Sequence, residues 1–390
     1  MIPFEEARRR LLALVAPLPS EPVPLDRAGG RALAEAVIAR RDSPPFRASM
    51  MDGYAVSGDP APGSRLRVVG EAAAGRRHSG PLGSGEAVRI LTGAPVPDGA
   101  DRVLIQEDVE RDGHHVVPKR GADRASYVRP AGADFAAGAR IEAGQVLSPA
   151  LVALAAAFGA ATLRCAARPE VAILSTGDEL TPPGGDPGPD GIFASNAYGL
   201  AALVGAAGGR ARILPIAADD PDLLAGAIRA GAGADVLVTS GGASVGDRDL
   251  VAPTLERLGA RLDFHRIAMR PGKPVLAGTL GAQVVLGLPG NPVSAMICGR
   301  VFLVPMLRRM LHLPQDDEAS GIALVAPLEA NGPRTHFMRA VRQDGGVRAL
   351  GNQDSGRLSP LARADLLIQR PPHDPARRVG DVARCLSIGL

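Results

Sequence analysis

Short apolar runs alternate with helical patterns from Glu170 to about residue 311, and this alternation restricts the fold more than any other feature of the chain. The runs predict strands over residues 171–175, 211–216, 235–240 and 284–288. Helices are predicted over 195–208, over 221–230 and over 292–311, and another helix that follows the strand 235–240 is predicted to end at about residue 258. Strands separated by helices favour a parallel sheet covered on both faces, so we expect a doubly wound α/β domain.

The flanking segments predict further regions of a multidomain α/β protein. Residues 4–15 and 26–39 have helical periodicity, whereas residues 41–135 contain short strand-like runs separated by Gly- and Pro-rich turns. A helix over 148–159 is expected to pack beside the first two, giving a split helical/mixed domain (1–40 and 136–169) around a β insert (41–135). The α/β domain then spans 170–315, and a C-terminal β barrel or sandwich occupies 316–390.

Composition excludes several classes of partner. The chain has 8 Phe, 3 Tyr and no Trp, too few aromatic residues for a platform that stacks single-stranded nucleic acid. Its 44 basic and 41 acidic residues are interspersed, so we expect no nucleic-acid partner. The most apolar stretch, 149–163, is shorter than the ~18–20 residues of a membrane span, so we expect no membrane segment. The 3 cysteines are far apart, which favours a reducing, cytoplasmic location.

Three Gly-rich loops follow predicted strands: 175–180, 240–249 and 288–294. Ligands of open parallel sheets bind beyond the carboxyl ends of the strands, where such loops lie. We expect free backbone N–H groups there to cradle a phosphate-bearing anion, and carboxylates to hold Mg²⁺. For any one loop, turn geometry alone is the alternative explanation. The anion-binding candidates are Ser175, Thr176, Gly177, Ser240, Gly241, Gly242, Ser244, Gly290 and Asn291; the metal candidates are Asp178, Glu179, Asp247 and Asp249.

A basic stretch, residues 266–274, precedes the last of these strands and contains Arg266, Arg270 and Lys273. It is either a solvated face or an oxyanion contact. Lys273 is one of two lysines in a chain that otherwise uses arginine, which favours a site that needs a compact ammonium group. Asp52-Gly53 is typical of a hairpin turn. No P-loop or CxxC motif is present in the sequence, and the 7 histidines show no metal-binding spacing.

Ten motifs, taken in order, resemble those of the MoeA family of molybdopterin molybdenumtransferases, which includes gephyrin. They are PPF...SMMDGYAV, ILTGAPVPDGAD, RPAGADF, ILSTGDEL, SNAYGL, DDPD, VTSGGASVGDRD, AMRPGKP, GLPGNPVSA and QDSGRLSP. The resemblance covers residues 1 to about 370. It implies a molybdopterin-binding α/β domain and Mg²⁺-dependent insertion of molybdate into adenylylated molybdopterin with release of AMP.

The resemblance also implies roles for residues. Arg270, Lys273, Ser294, Ser355 and either Arg334 or Arg339 would surround molybdate, and Pro289 and Pro292 would shape the pterin loop. The catalytic set carried over from the family is Asp52, Thr92, Asp134, Glu179, Asp219 and Asp249. Three of these lie in the β insert and would reach the partner's cleft in a homodimer. The chain departs from the usual FDNSAMDGY at Arg47, Ala48 and Met50.

Two other functions remain open at this stage. The first is a non-catalytic scaffold or carrier of molybdopterin, and the second is the adenylyltransferase step that precedes molybdate insertion. Further partners implied by the resemblance are enzymes of the molybdopterin pathway and chaperones of acceptor molybdoenzymes.

Overall fold

The computed structural model describes residues 1–242, 250–315 and 320–389. Its helices are α1 (Phe4–Ala13), α2 (Pro149–Ala157), α3 (Asn196–Ala206), α4 (Pro221–Ala230), α5 (Val251–Arg257), α6 (Pro292–Cys298), α7 (Val304–Met310) and α8 (Leu358–Ala362). A π-helical segment, Gly299–Leu303, joins α6 to α7. Within the described part of the chain, no helix has both the length and the apolar character needed to cross a membrane.

The strands are β1 (Ile2–Pro3), β2 (Ser20–Pro24), β3 (Val37–Ile38), β4 (Ala48–Ser49), β5 (Gly53–Val56), β6 (Leu66–Ala72), β7 (Glu86–Ile90), β8 (Arg102–Ile105), β9 (Val109–Asp112), β10 (His115–Pro118), β11 (Val128–Arg129), β12 (Arg140–Ile141), β13 (Thr162–Ala166), β14 (Glu170–Ser175), β15 (Leu180–Thr181), β16 (Ile192–Phe193), β17 (Arg210–Ile213), β18 (Val236–Ser240), β19 (Arg261–His265), β20 (Ile267–Arg270), β21 (Leu276–Leu280), β22 (Gln283–Leu288), β23 (Ser320–Ala323), β24 (Thr335–Gln343), β25 (Gly346–Ala349), β26 (Leu366–Arg370) and β27 (Val382–Ser387).

The chain divides into two compact units. The first comprises Met1–Glu35, Ala143–Ser148 and Thr162–Leu390, and the second comprises Ala36–Glu142 and Pro149–Ala161. Helix α2 therefore groups with the β-rich insert, whereas α1 belongs to the first unit. The sequence-based domain boundaries stay predictions.

The first unit contains the predicted doubly wound domain. Its six-stranded sheet has the order β17-β14-β18-β22-β21-β19, and the first four strands are parallel. Alternate residues of β14 face opposite sides: Val171 and Ile173 pack in the cluster that includes residues of α3, α6 and α7, whereas Ala172 and Leu174 pack with α4 and α5. Both faces are covered by helices, and the α/β fold class is confirmed.

A second sheet in this unit forms the predicted C-terminal β region. Its order is β1-β20-β24-β26-β27-β23, with β25 paired to β24. Two of its strands, β1 and β20, come from outside residues 316–390, which the sequence patterns do not predict. Phe4 of α1 packs against Phe337 of β24, with ring centroids 4.9 Å apart, and so attaches the N-terminal helix to this sheet.

The helix predicted over 26–39 is wrong. The chain forms only a short 3₁₀ turn, Leu25–Arg27, and Gly30 adopts a positive φ of 74°. Ala32 and Leu33 then form β-bridges with Val146 and Cys165. Partners distant in sequence take the backbone groups that a helix would have used internally.

The second unit is β-rich, as predicted for the insert. A six-stranded sheet has the order β8-β5-β7-β6-β10-β9. Its buried apolar residues form two clusters, one around Val88 and Ile90 and the other around Tyr54 and Leu104. Alternation of the side chains along the strands accounts for the two clusters.

Candidate functional site

The carboxyl ends of three neighbouring parallel strands meet at one edge of the six-stranded sheet. β14, β18 and β22 pair so that Ser175 aligns with Ser240, and Ser240 with Leu288. The three Gly-rich loops therefore leave the sheet side by side, which confirms that they share an edge. Ser244, Asp247 and Asp249 of the middle loop lie outside the described residues.

A cleft of about 630 Å³ lies between these loops. Its lining comes from segments 175–180, 192–196, 240–242 and 289–292, together with Asp219 and Pro274. The Asn196 side-chain amide donates to the Ser240 hydroxyl (2.9 Å) and to the Gly290 carbonyl (2.7 Å). This side chain at the start of α3 therefore ties the second and third loops together.

Two adjacent glycines give the floor of the cleft its shape. Gly241 has φ +102° and Gly242 has φ +60°, both in the region that side chains disfavour. A Cβ on Gly241 would lie closer than 3.0 Å to the carbonyl oxygen of Thr176, and one on Gly242 would lie 2.7 Å from a methyl group of Val251. These positions therefore need glycine so that the first and second loops can approach each other.

Backbone N–H groups of these loops are already engaged. Thr176 and Gly177 donate theirs to carbonyls of neighbouring segments, at 3.1 Å each. Gly241 donates to the Leu288 carbonyl at 3.3 Å. For Thr176, Gly177 and Gly241, the expectation that the N–H groups are free to cradle an anion is therefore wrong, since they hold the loops to neighbouring segments. Anion binding by the other residues of the loops stays a prediction. Ser175 Oγ, by contrast, is buried without a hydrogen-bond partner among the described residues and belongs to a residue that lines the cleft.

Carboxylates lie on the β14 side of the cleft. Glu179 and Asp219 line it, and Asp178 accepts a hydrogen bond from the Asp219 N–H at 3.0 Å. Among the described residues, no group of three or more His, Cys, Asp or Glu side chains forms a protein-only metal site. Mg²⁺ usually binds through one or two carboxylates together with substrate phosphates and water. The oxygen donors present therefore fit a magnesium ion shared with a phosphate-bearing ligand.

The third loop joins the α/β domain to the C-terminal sheet region. The Asn291 side chain donates to Ser355 Oγ at 3.2 Å, and the Val293 N–H donates to the Ser355 carbonyl at 3.1 Å. Pro292 begins α6, and Ser294 is buried in its first turn. The structure thus brings Ser355 beside the loop that contains Pro289 and Pro292.

One of the predicted basic residues, Lys273, adjoins this end of the cleft. Lys273 is exposed and is followed by Pro274, which lines the cleft. Arg270 is exposed at the end of β20. Its strand neighbour is His336 of β24, which in turn pairs with Arg370 of β26. Burial and then the charge of Arg270 lower the pKa of His336 to about 4, so this histidine is neutral at physiological pH.

Arg334 and Arg339 have different surroundings. Arg339 is only 1% exposed, and its Nη1 donates to the Arg357 carbonyl at 3.2 Å. Its backbone N–H donates to Oε1 of Gln353 at 3.0 Å, and its Nη2 is buried without a partner among the described residues. Burial lowers the pKa of Arg339. Arg339 therefore contacts both ends of the 353–357 segment that contains Ser355, whereas Arg334 precedes β24 and is half-buried.

The remaining predicted residues lie in the second unit. Asp52 accepts hydrogen bonds from the Thr92 N–H and the Thr92 hydroxyl, both at 2.7 Å. These bonds, with the backbone donor first, lower the pKa of Asp52. Gly53 begins β5, which pairs with β7 and β8, so Asp52-Gly53 is not a hairpin turn between β4 and β5. Asp134 is exposed, and its N–H donates to the Ser43 carbonyl at 2.9 Å.

Sequence reasoning missed three side chains that shape the site: Phe193, Asn196 and Gln353. The available signal for Asn196 was its place in SNAYGL at the start of a predicted helix, where asparagine is normally interpreted as a cap. Gln353 is the first residue of the QDSGRLSP motif, which was quoted without a role for this side chain. Phe193 carried no periodic signal because its strand has only two residues.

These features define a class: a multidomain α/β protein whose doubly wound domain has a cleft at the carboxyl ends of its parallel strands. Residues 2–159 match the model "MoeA N-terminal region (domain I and II)", residues 172–309 match "Probable molybdopterin binding domain", and residues 322–387 match "MoeA C-terminal region (domain IV)".

Relatives agree with these matches. A molybdopterin molybdenumtransferase 2 from Mycobacterium tuberculosis is 36% identical over 366 residues, covering 90% of each chain. A molybdopterin molybdenumtransferase from Nostoc sp. is 35% identical, covering 90% of this chain and 85% of the relative. A solved molybdopterin biosynthesis MoeA protein from Pyrococcus horikoshii has a TM-score of 0.85 at 30% identity, covering 100% of this chain and 99% of that one. The chain therefore belongs to the MoeA family, which acts in molybdenum cofactor biosynthesis, and the resemblance inferred from its motifs is confirmed.

Proposed function

We propose that this protein transfers molybdate to adenylylated molybdopterin and releases AMP in a Mg²⁺-dependent reaction. The observation that carries the proposal is the cleft at the sheet edge, which has carboxylates on one side and a loop tied to Ser355 on the other. A ligand with a pyrophosphate in its middle and an oxyanion acceptor at one end fits this arrangement.

The pyrophosphate would lie over the glycine floor. Because Gly241 and Gly242 have no side chains, a phosphate can approach the backbone closely. The Ser175 hydroxyl, buried without a partner among the described residues, is a hydrogen-bond donor for a phosphate oxygen. Glu179 and Asp219 would hold Mg²⁺, with Asp178 supporting the Asp219 backbone. When bound, Mg²⁺ would offset the negative charge of the pyrophosphate and favour departure of AMP.

Molybdate would bind at the other end of the cleft. Its two negative charges repel those of the dithiolate and the phosphates, so fixed cations are needed beside it. Lys273 can supply one charge, and Arg339 can supply another from a buried position whose Nη2 has no partner among the described residues. Ser355, held by Asn291, would donate a hydroxyl to the oxyanion. We favour Arg339 over Arg334 because Arg339 fixes the segment that presents Ser355.

We also propose a homodimer in which Asp52, Thr92 and Asp134 complete the cleft of the partner protomer. The bonds that Thr92 makes to Asp52 keep that carboxylate ionised and oriented, as a metal- or water-binding group requires. Mixing Asp52→Ala protein with Glu179→Ala protein tests this arrangement. Recovery of part of the activity after subunit exchange supports shared sites, whereas no recovery despite demonstrated exchange contradicts them.

The product would be used in the cytoplasm by enzymes of the same pathway or by chaperones of acceptor molybdoenzymes. All three cysteines are buried and unpaired, which is compatible with a reducing compartment.

The test of the proposed function is direct. Purified protein is incubated with adenylylated molybdopterin, Mg²⁺ and either molybdate or tungstate, and AMP is measured. We expect AMP release that depends on both the oxyanion and Mg²⁺. Binding of molybdopterin without AMP release would favour a scaffold, and consumption of ATP with unmodified molybdopterin would favour the adenylyltransferase step.

A further inference from the structure

An exposed aromatic ring lies in the wall of the cleft. Phe193 is 49% exposed, and its neighbour Ile192 is 56% exposed; both line the cleft. All 8 phenylalanines of the chain are among the described residues, and Phe193 is the only exposed one. An apolar ring left in water beside polar loops is typical of a contact for the flat face of a ligand.

The backbone fixes the position of this ring. β15 and β16 pair in parallel, with Phe193 opposite Thr181. Ile192 donates its N–H to the Glu179 carbonyl at 2.8 Å, and Ala194 donates to the Thr181 carbonyl at 2.9 Å. The backbone that carries the ring is therefore tied to the loop that contains Glu179.

Strand order indicates which part of the ligand reaches the ring. Along the sheet edge, the loop after β14 is followed by those after β18 and β22, and then by the segment before β21 that contains Lys273. Lys273 and Ser355 therefore lie at the end formed by β22 and β21, and the glycine floor lies next to it. Phe193 pairs with the segment that follows β14, on the other side of the glycine floor from Lys273 in sheet order. In adenylylated molybdopterin, the pyrophosphate separates the dithiolate from the adenosine. With the dithiolate next to molybdate and the pyrophosphate over the glycines, the adenosine extends towards β14.

We propose that Phe193 stacks on the adenine ring of the adenylyl group and positions the nucleotide that leaves as AMP. This inference rests on the proposed function and adds the residue that recognises the base. Stacking on an aromatic side chain needs no base-specific hydrogen bond, and removal of such a ring typically weakens binding by roughly tenfold or more.

The absence of tryptophan from the sequence provides a direct readout. Phe193→Trp introduces a single indole, whose emission is followed as AMP is added. Tyr198→Trp is the matched control, because Tyr198 is equally exposed at 49% on α3 but does not line the cleft. We expect AMP to quench the Phe193→Trp emission while ribose 5-phosphate, which lacks a base, does not. The Tyr198→Trp emission should not respond to either.

Equilibrium dialysis with AMP completes the test. Phe193→Ala should bind AMP about tenfold more weakly than wild type, and Phe193→Tyr should restore binding. Unchanged AMP affinity of Phe193→Ala, or no response of Phe193→Trp to AMP, would overturn the inference. Quenching by a simple pterin but not by AMP would also overturn it, since the ring would then contact the pterin. If wild-type protein releases no AMP from adenylylated molybdopterin, it is the proposed function that fails, which these binding measurements distinguish.

Discussion

Of the two glycines in the floor of the cleft, Gly241 should tolerate substitution by alanine less well than Gly242. Gly241 has φ +102°, outside the conformations that alanine adopts without strain, and its Cβ would overlap the Thr176 carbonyl oxygen. That carbonyl belongs to backbone, which cannot rotate away as a flexible side chain can. Because Thr176 itself donates to the Ser240 carbonyl, relief of the overlap must separate the first loop from the second.

The loss of folding stability expected for Gly241→Ala has two contributions. A non-glycine residue in a sparsely populated backbone region costs about 1–3 kcal/mol. Forcing an extra carbon into a closely packed site costs about 1–3 kcal/mol more. Gly226 is the matched control, because it lies inside α4 with nothing within 4 Å of an added Cβ. Gly226→Ala should stabilise the protein by about 0.5–1 kcal/mol, since glycine is a poor helix former.

Urea unfolding of the full chain, followed by circular dichroism, measures the difference between these two variants. We expect the Gly241→Ala midpoint to fall below that of wild type and the Gly226→Ala midpoint to rise. AMP release should be reduced at least tenfold in Gly241→Ala and unchanged in Gly226→Ala. A Gly241→Ala protein with the wild-type midpoint and full AMP release would refute the argument that the two loops need this close approach.

Three further outcomes are expected. Lys273→Arg should raise the molybdate concentration needed for half-maximal AMP release by about tenfold, because a planar guanidinium replaces a compact ammonium. Lys119→Arg, in the insert, should not change this concentration. Equal values for both variants would contradict a specific role of Lys273. The pKa of His336 is lowered from 6.5 to about 4 in the folded chain. As the pH falls, the unfolded chain therefore takes up the proton before the folded chain does. The stability present above about pH 6.5 is lost as the pH falls towards 4. His336→Asn should flatten the dependence of the urea midpoint on pH across that window, and an unchanged dependence would argue against the shift. Thr92→Val should raise the pKa of Asp52, measured by carbon-13 NMR of its carboxyl group, because one of its two donors is removed; a pKa that stays the same would show that the hydroxyl contributes nothing.

The doubly wound domain was predictable because its signals are local. Asp220 followed by Pro221 marks the start of α4, and the helix has the predicted bounds, Pro221–Ala230, with the Asp220 side chain accepting from two N–H groups of the first turn. The helix predicted over residues 26–39 is wrong because the structure of this segment depends on partners that are distant in sequence. Ala32 and Leu33 pair with residues more than a hundred positions away, and no local pattern reports such pairing.

The candidate site was predictable to the level of its loops but not of its hydrogen bonds. Parallel strands place their carboxyl ends at a common edge, so loops after β14, β18 and β22 had to converge. Which backbone groups stay available depends on how the loops bond to one another once they meet. Gly177 and Gly241 were predicted as anion donors because they lie in Gly-rich loops after strands, yet their N–H groups bond to neighbouring carbonyls.

The resemblance in motifs leaves open whether Arg334 or Arg339 would meet the oxyanion, and strand geometry favours Arg339. Along β24, Phe337 and Arg339 share a face by alternation, and Phe337 packs in the core cluster that includes residues of α6 and α7. Arg339 therefore points towards the side on which α6 begins and Asn291 meets Ser355. Burial of a guanidinium is costly unless its donors are used, and one nitrogen of Arg339 has no partner among the described residues. A bound oxyanion would satisfy that nitrogen, so the strain of burying the charge would be relieved only when the substrate is present.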